Sequence, residues 1–330
     1  MNITTWIKNM DFLKYSPDLK GEMKRIREFG ISIIMPHLSK LDDTLTPLFN
    51  AAEAQGIELH PWIKPVFSVT NSIKRKLTEK ELAGQKKRFG TPILRDCLNN
   101  RYNLEKGLEN ISDFLNLYRG KIKGLHLDYV RNDNALFLKN YPCRCEACQE
   151  QRTKWLGHGT LTLKDMKNPA VIYKELEMRN KNITDYVRKV RALTMKKGIR
   201  LSLAARANYL NQPDIEKPPV YGLGPAVYEG QDWYAWAEEG LFDFICTMNY
   251  YTDIKIFKKV AAEHARLLKD TKALFYSGIG IESSIGKASP AIAENLLNAA
   301  AKTGAAGVSL FHYEAVGDQY KKVLQKIKNI

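Results

Sequence analysis

The sequence has 330 residues, of which 44% are hydrophobic, and carries a formal net charge of +15. This length is long for an ordinary domain but suits a single α/β barrel. The chain has no run of roughly 18 apolar residues, which argues against a membrane span, and residues 1–6 lack the features of a signal peptide, so we expect a cytoplasmic protein.

Apolar segments and segments of helical periodicity alternate along the whole chain. Eight segments have the composition of buried strands, at 2–8, 31–35, 57–66, 122–127, 199–205, 243–248, 272–281 and 307–311. Each precedes a predicted helix, at 17–29, 44–55, 104–118, 169–197, 232–240, 254–268, 290–302 and 319–327. This alternation predicts an α/β fold, a (β/α)8 TIM barrel formed by residues 1–330 as a single domain. A doubly wound open sheet is the alternative, but the glycine-rich turn that usually follows its first strand is absent.

Two long polar segments interrupt the alternation, at about 67–103 and 132–168. They follow the third and fourth predicted strands. In a barrel, the loops that follow strands lie on the face that carries function. We therefore expect both segments to be insertions beside a binding site.

Polar side chains stand where the predicted strands end. Because the carboxyl ends of barrel strands meet on one face, we expect these side chains to converge. The fourth strand ends in Asp128 and Arg131, and the seventh ends in Glu282. The other ends supply His37, His60, Trp62, Arg206, Tyr250, Asp253, His312 and Glu314. Aromatic rings beside carboxyl groups are typical of a site that stacks sugar rings and cleaves glycosidic bonds.

The catalytic roles follow from the expected surroundings of each group. Arg131 is expected to orient Asp128 and keep it ionised, as a nucleophile or oxocarbenium stabiliser must be. Glu282 is the expected general acid, because Ile279 and Ile281 give it apolar neighbours that favour a protonated carboxyl group. Asp253 and Glu314 stay open as alternatives for the acid. The remaining strand-end residues, these two included, are predicted to bind the saccharide.

Several of these residues also have a purely structural interpretation. Asp253, Glu282 and Glu314 each stand where they would cap a following helix or turn. His37 and His60 are equally typical of hydrogen-bonded core or loop histidines. Asp128 itself has the alternative of a simple ion pair with Arg131.

Four cysteines have informative spacing. Cys143, Cys145 and Cys148 form a Cys-x-Cys-x-x-Cys cluster in the second insertion, and Cys97 ends the first insertion. With no export signal, such a cluster indicates a metal rather than disulfides. Four thiolates predict a closed, structural zinc site that joins the two insertions. His158 is an alternative fourth ligand, and an unmetallated or redox cluster is the alternative to zinc.

The basic charge is spread over predicted helices and a patch at 74–88. Solvated helix faces explain most of it, and an anionic saccharide substrate would explain part. Two other functions compete with a glycoside hydrolase of oligo- or polysaccharides. One is a carbohydrate-binding barrel without catalysis, and the other, with no recognised motif behind it, is a nucleic-acid-binding protein.

Three strands resemble known families of glycoside hydrolases. Residues 124–131 resemble the fourth-strand signature of barrels in the glycosyl hydrolase family 10-like group. Residues 244–251 are similar to the sixth strand of family 18 chitinases, and 307–313 to the last strand of such barrels. The four-cysteine pattern resembles the structural zinc site of family 42 β-galactosidases. The resemblance implies a carbohydrate-active barrel with zinc, although Val130 stands where chitinases carry their catalytic glutamate.

Overall fold

The computed structural model describes residues 1–10, 13, 16–38, 41–64, 98–99, 101–131, 146–208 and 229–328. In this part of the chain, one sheet contains nine parallel segments: β1 Asn2–Ile7, β2 Ile31–Pro36, β3 Glu58–Leu59, β4 Trp62–Ile63, β5 Gly124–Leu127, β6 Arg200–Ala205, β7 Phe244–Thr247, β8 Leu274–Gly280 and β9 Gly307–Phe311. The α-helices are α1 Leu19–Glu28, α2 Thr46–Glu53, α3 Arg101–Leu117, α4 Glu146–Leu156, α5 Pro169–Lys196, α6 Trp233–Glu238, α7 Ile254–Leu268, α8 Pro290–Lys302 and α9 Lys321–Lys328.

The third predicted strand, 57–66, is observed as the two short segments β3 and β4. Pro61 divides them, because proline has no N–H to donate to the ladder. β3 pairs with β2, and β4 pairs with β5. β3 is also hydrogen-bonded on the side of β5, where Lys123 N donates to Leu59 O (3.1 Å). β4 is likewise hydrogen-bonded on the side of β2, where Leu38 N donates to Trp62 O (2.9 Å). The sheet therefore closes on itself as an eight-stranded barrel, which confirms the predicted (β/α)8 TIM fold.

Polar residues begin the barrel helices as the sequence predicted. The Asn168 side chain accepts a hydrogen bond from Ala170 N at the start of α5, and Ser289 accepts one from Ile292 N at the start of α8. Gly198 ends the turn after α5 with φ of 65°, a conformation that favours glycine. These local signals fix where each helix begins and ends, and hence where each strand enters the barrel.

The barrel interior has its own core, separate from the larger apolar layer between sheet and helices. Trp6, Met35, Trp62, Phe244 and Tyr276 belong to this interior cluster. Its strand members are spaced by two along each strand, which is the alternation expected of inward-facing residues. The interior is thus filled with side chains up to the level where the strands end, and it supports a site on that end.

The described part of the second insertion packs on α5. Arg152 of α4 forms a bidentate ion pair with Glu175 of α5 (2.7 and 2.6 Å), and both side chains are fully buried. Leu161, Met166 and Val171 form a small apolar cluster beside it. Among the described helices, none has the length and apolar character needed to cross a membrane.

Candidate active site

The alternation of the strands brings three charged side chains to the carboxyl-end mouth of the barrel. His126 faces the interior, where Trp6 Nε1 donates to its Nε2 (2.9 Å). Asp128 follows two residues later and therefore faces the same way. Lys64 lies two residues after the inward-facing Trp62, and Arg206 lies two residues after the inward-facing Ala204 of β6. By the same alternation, both side chains face the mouth.

Asp128 is held through one of its two carboxylate oxygens. Its side chain is buried, and Oδ1 accepts hydrogen bonds from Tyr129 N (2.6 Å) and Arg131 Nη1 (3.2 Å). Within the described residues, Oδ2 has no hydrogen-bond partner. Tyr129 adopts a left-handed conformation with φ of 55°, which is costly for a tyrosine and common at functional sites. The carboxylate is thus fixed in position with one oxygen available to a ligand.

A second buried carboxylate, Glu229, lies beside Asp128. Glu229 accepts two hydrogen bonds from Arg206, from Nε (2.6 Å) and Nη2 (3.0 Å), and its Oε2 lies 3.6 Å from Arg131 Nε. The Glu229 and Arg131 side chains are only 3% and 4% exposed. Burial, followed by the charge of Arg131, lowers the pKa of Arg206. One guanidinium therefore touches both carboxylates, so the two carboxyl groups are at most about 9 Å apart, within the outer limit for paired glycosidase carboxylates.

Glu229 is not among the residues that the sequence predicted for the site. It stands between the predicted strand at 199–205 and the predicted helix at 232–240, in a stretch rich in glycine and proline and away from any strand end. A local signal was nevertheless present in Gln231, two residues later. The Gln231 side chain accepts a hydrogen bond from Arg206 N (2.7 Å) and donates to Ala204 O (3.1 Å), which ties this stretch to the end of β6.

Two cations flank the ring of Tyr129. Lys64 Nζ lies 4.5 Å from the ring centroid, and Arg131 Cζ lies 4.3 Å from it. His37 packs on Trp62 with ring centroids 4.6 Å apart. Burial and then the Lys64 charge lower the pKa of His37, against the opposing charge of Asp128. His37 is therefore neutral at pH 7 and suited to hydrogen bonding.

Aromatic side chains line the other side of the mouth. Tyr250 stacks on Phe311 with centroids 4.9 Å apart and meets Trp6 edge-on at 6.3 Å. Gly280 makes room for it, because a Cβ there would lie 2.9 Å from the Tyr250 Cβ. Burial, followed by the charge of Asp128, raises the pKa of Tyr250 well above its usual value. The phenol keeps its proton and can serve as a hydrogen-bond donor near Asp128.

His312 and Glu314 form a pair at the end of β9. His312 Nδ1 lies 2.8 Å from Glu314 Oε2, and Asn9 N donates to Glu314 Oε1 (2.7 Å). Burial raises the pKa of Glu314, but the hydrogen bonds from His312 and Asn9 outweigh it, so the pKa is lowered overall. Counting β3 and β4 as one strand, β9 lies opposite β5 in the barrel. His312 and Asp128 thus stand on opposite walls of the mouth.

Glu282 does not lie in the apolar surroundings that its sequence neighbours predict. Its side chain is 46% exposed and forms an ion pair with Lys287 at 2.7 Å. This hydrogen bond lowers the pKa of Glu282, whereas a general acid needs a raised pKa. The reason is geometric: Ile279 and Ile281 pack in the core between sheet and helices, on the opposite face of the strand.

Two further residues lie away from the mouth. Asp253 caps α7, where its Oδ1 accepts hydrogen bonds from Lys255 N (2.7 Å) and Ile256 N (3.0 Å), and these bonds lower its pKa. His60 is fully buried one layer below Trp62, with its ring 5.5 Å from that of Phe244. Burial lowers the pKa of His60 to about 3. Asp253 is therefore a helix-capping residue, and His60 is a histidine of the barrel core.

Three of the four predicted zinc ligands, Cys97, Cys143 and Cys145, lie outside the described residues. Cys148 is buried in the first turn of α4, and Asn99 Nδ2 donates to its Sγ (3.4 Å). The alternative ligand His158 is hydrogen-bonded through Nε2 to Asp165 (2.9 Å). In the part of the chain that is described, no group of three or more potential ligand side chains is arranged to hold a metal.

Comparison with known proteins places the fold but not the family. No family model matches the sequence, and no curated protein sequence matches it. Solved structures do match. The PgaB (BpsB) glycoside hydrolase domain from Bordetella bronchiseptica is 13% identical, with a TM-score of 0.63 over 99% of this chain and 97% of that one. A β-galactosidase from the psychrophilic Marinomonas ef1 is 10% identical, with a TM-score of 0.61; all of this chain spans 59% of that enzyme.

A GH18 chitinase from Pseudoalteromonas aurantia also matches, at 10% identity and a TM-score of 0.55, over 99% of this chain and all of that one. Identities this low establish a shared fold only. The matches include a chitinase and a β-galactosidase, two of the kinds of enzyme that the sequence resembles. The resemblance to the family 10-like group and the zinc pattern stay predictions.

Proposed function

We propose that this chain is a glycoside hydrolase acting on an oligo- or polysaccharide at the carboxyl-end mouth of the barrel. The observation that carries the proposal is Asp128: a buried carboxylate at the end of β5 with Oδ1 fixed by two donors and Oδ2 without a partner among the described residues. An oxygen presented in this way is suited to react with an anomeric carbon or with water. That the matching structures are named as glycoside hydrolases supports the same conclusion.

Asp128 Oδ2 is the reactive oxygen in this proposal. In a retaining enzyme it attacks the anomeric carbon as the glycosidic C–O bond breaks, and in an inverting enzyme it takes the proton of the attacking water. Arg131 orients the carboxylate through Oδ1. Glu229, held at both oxygens by Arg206, offsets the charge of Arg131 and so acts as a positioning residue rather than a catalytic one.

His312 is proposed as the proton donor to the leaving oxygen, in place of Glu282. Glu314 accepts from Nδ1 and so leaves Nε2 to exchange a proton with the substrate. Both Glu282 and Glu314 have lowered pKa values and are therefore ionised at neutral pH. His312 stands across the mouth from Asp128, so a sugar between them would have one group on each side of its glycosidic bond, as cleavage requires.

Three aromatic side chains of the mouth, those of His37, Trp62 and Tyr250, are proposed to bind the saccharide. His37 and Trp62 lie on one side of Asp128, and Tyr250 lies near it with a protonated phenol. The imidazole of His37 and the phenol of Tyr250 offer hydrogen bonds to the hydroxyl groups of a sugar.

The test is release of reducing ends from a panel of defined oligosaccharides, resolved by mass spectrometry. Asp128→Asn should lower kcat by at least roughly a thousandfold on any substrate found. Asp253→Asn is the matched control, since it makes the same chemical change at an exposed helix cap and should leave kcat near that of the wild type. Equal activity of Asp128→Asn and wild type would overturn the proposal.

A saccharide-binding barrel without turnover is the second candidate. It is favoured by one observation: the pKa values of Glu282 and Glu314 are both lowered, so neither is suited to be a general acid and catalysis depends on the histidine donor. The two functions separate when the same saccharide is tested for binding and for cleavage. Tight binding without product from the wild-type protein would select the binding function.

We also propose a structural zinc ion held by Cys97, Cys143, Cys145 and Cys148. The contact between Asn99 and Cys148 supports it, because Asn99 follows Cys97 by two residues and Gln151 Nε2 also donates to Asn99 Oδ1 (3.1 Å). The end of the first insertion thus lies against α4. The purified protein should contain one zinc per chain by elemental analysis, and Cys148→Ser should lower both zinc content and Tm. A metal-free protein that unfolds at the same temperature with and without chelator would contradict the proposal.

A further inference from the structure

The charges at the centre of the mouth do not balance. Three cations, Lys64, Arg131 and Arg206, surround two carboxylates, Asp128 and Glu229. Arg206 pairs with Glu229, and Arg131 pairs with Asp128 at 3.2 Å. Lys64 is left over, since no carboxylate in the described part of the chain lies within ion-pair distance of it. Lys64 is only partly exposed to water, and an anion bound beside it would complete this set of charges.

The surroundings of Lys64 keep it close to Asp128. Its Nζ lies 4.5 Å from the centroid of the Tyr129 ring, whose other close cation is Arg131. Tyr129 itself contacts Asp128, because its backbone N donates to Asp128 Oδ1 (2.6 Å). Lys64 also lowers the pKa of His37, whereas Asp128 acts on the same imidazole in the opposite direction. Lys64 and Asp128 therefore both lie close enough to His37 for their charges to act on it.

Two buried N–H groups at the mouth also lack acceptors. Arg131 Nε and Trp62 Nε1 are buried and have no hydrogen-bond partner in the described structure. Both side chains are more than nine-tenths buried. Leaving buried donors without acceptors is costly, and an oxygen-rich ligand would satisfy them. The site thus offers one unpaired cation, Lys64, and one buried donor without an acceptor, Trp62 Nε1, whereas Arg131 Nε has only its 3.6 Å ion-pair contact with Glu229 Oε2.

We propose that the saccharide bound here is acidic, and that Lys64 receives the anionic group of the sugar next to the bond held at Asp128. This inference rests on the proposed carbohydrate site and names its substrate class. The shared chemistry is an anionic substituent on a sugar ring, either the carboxylate of a uronic acid or a sulfate ester. Lys64 is then a specificity-determining residue, because a neutral sugar would leave its charge without a partner.

The experiment compares matched saccharides that differ only in the acidic group. Oligogalacturonide, hyaluronan and alginate oligosaccharides are each tested beside their carboxyl-reduced forms, and a sulfated galactan is tested beside its desulfated form. Dissociation constants are measured by calorimetry at low and high salt with wild-type protein, Lys64→Gln, Lys64→Arg and the control Lys24→Gln, an exposed lysine of α1. Release of reducing ends is recorded on the same samples.

We expect at least one acidic form to bind about tenfold more tightly than its neutral counterpart, and high salt to reduce this preference. Lys64→Gln should abolish the preference for the acidic form, whereas Lys64→Arg and Lys24→Gln should retain it. The carboxylate and sulfate pairs show which anionic group is preferred. No acidic binding anywhere in the panel, or a preference that survives Lys64→Gln, would overturn the inference.

The two proposals fail in different ways. If the protein cleaved a neutral saccharide and showed no preference for acidic ones, the inference about Lys64 would be wrong and the proposed glycoside hydrolase function would still hold. Binding that depends on Lys64 and the acidic group, without any release of reducing ends by wild-type protein, would keep the inference and remove the hydrolase.

Discussion

Replacing Glu229 by glutamine should destabilise the protein although the side chain keeps its size and shape, because its negative charge is lost. Among the described residues, Glu229 is the carboxylate in contact with both Arg206 and Arg131, at 2.6 and 3.6 Å, and its side chain is 3% exposed. The neutral amide leaves two buried guanidinium groups facing each other with less compensating charge. Breaking a buried ion pair in this way costs about 3–5 kcal/mol of unfolding free energy.

The expected change in Tm follows from the size of the chain. A chain of 330 residues has an unfolding entropy of about 0.7 kcal/mol per kelvin near its midpoint. The cost therefore corresponds to a Tm lower by about 4–7 °C in a thermal melt followed by circular dichroism. Glu282→Gln is the control, since its ion pair with Lys287 is exposed to solvent and its loss should leave the Tm nearly unchanged. If Glu229→Gln melted within about 1 °C of the wild type, the idea of a charge-balanced buried cluster would be refuted.

Three further outcomes can be checked by urea denaturation. Glu175→Gln should lower the unfolding free energy by about 3 kcal/mol or more, because it leaves the fully buried Arg152 without its carboxylate; an unchanged midpoint would contradict this. Gly278→Ala should cost about 1–3 kcal/mol, since the new Cβ would lie 2.3 Å from Thr247 O, and normal stability would show that the strand yields easily. Burial lowers the pKa of His126 to about 3, so between about pH 6.5 and this value the unfolded chain binds a proton that the folded chain does not. The unfolding free energy should therefore fall by about 1.4 kcal/mol per pH unit on this account as the pH drops below about 6.5. A His126→Gln variant whose stability has the same pH dependence as the wild type would contradict this.

The barrel could be predicted from the sequence because its signals are local. Strand composition, helix periodicity and capping residues such as Asn168 and Ser289 each act over a few residues, and eight repeats of them determine the topology. The third strand shows the limit of this approach. Its apolar composition predicted one continuous strand, but the proline at 61 interrupts the ladder and divides the pairing between two neighbours.

The site was harder to predict because it depends on contacts between distant segments. Asp128 and Arg131 are three residues apart, so their ion pair was visible in the sequence. The partner of Arg206 is 23 residues further along, in a stretch without periodicity, and only the fold shows that Glu229 lies between the two arginines. Glu282 was misjudged for a related reason. Apolar neighbours in sequence face the other side of a strand, so they say little about the surroundings of the residue between or after them.

The most direct test of the central claim measures binding and turnover of the same saccharide by wild-type protein and Asp128→Asn. The Asp128 side chain is fixed through Oδ1, which accepts a hydrogen bond from Tyr129 N. The amide oxygen of an asparagine can accept the same bond, so the fold and the mouth should persist in Asp128→Asn. We expect Asp128→Asn to bind the saccharide within about threefold of the wild-type affinity and to release no measurable product. Turnover by Asp128→Asn at the wild-type rate would contradict a catalytic role for this carboxylate.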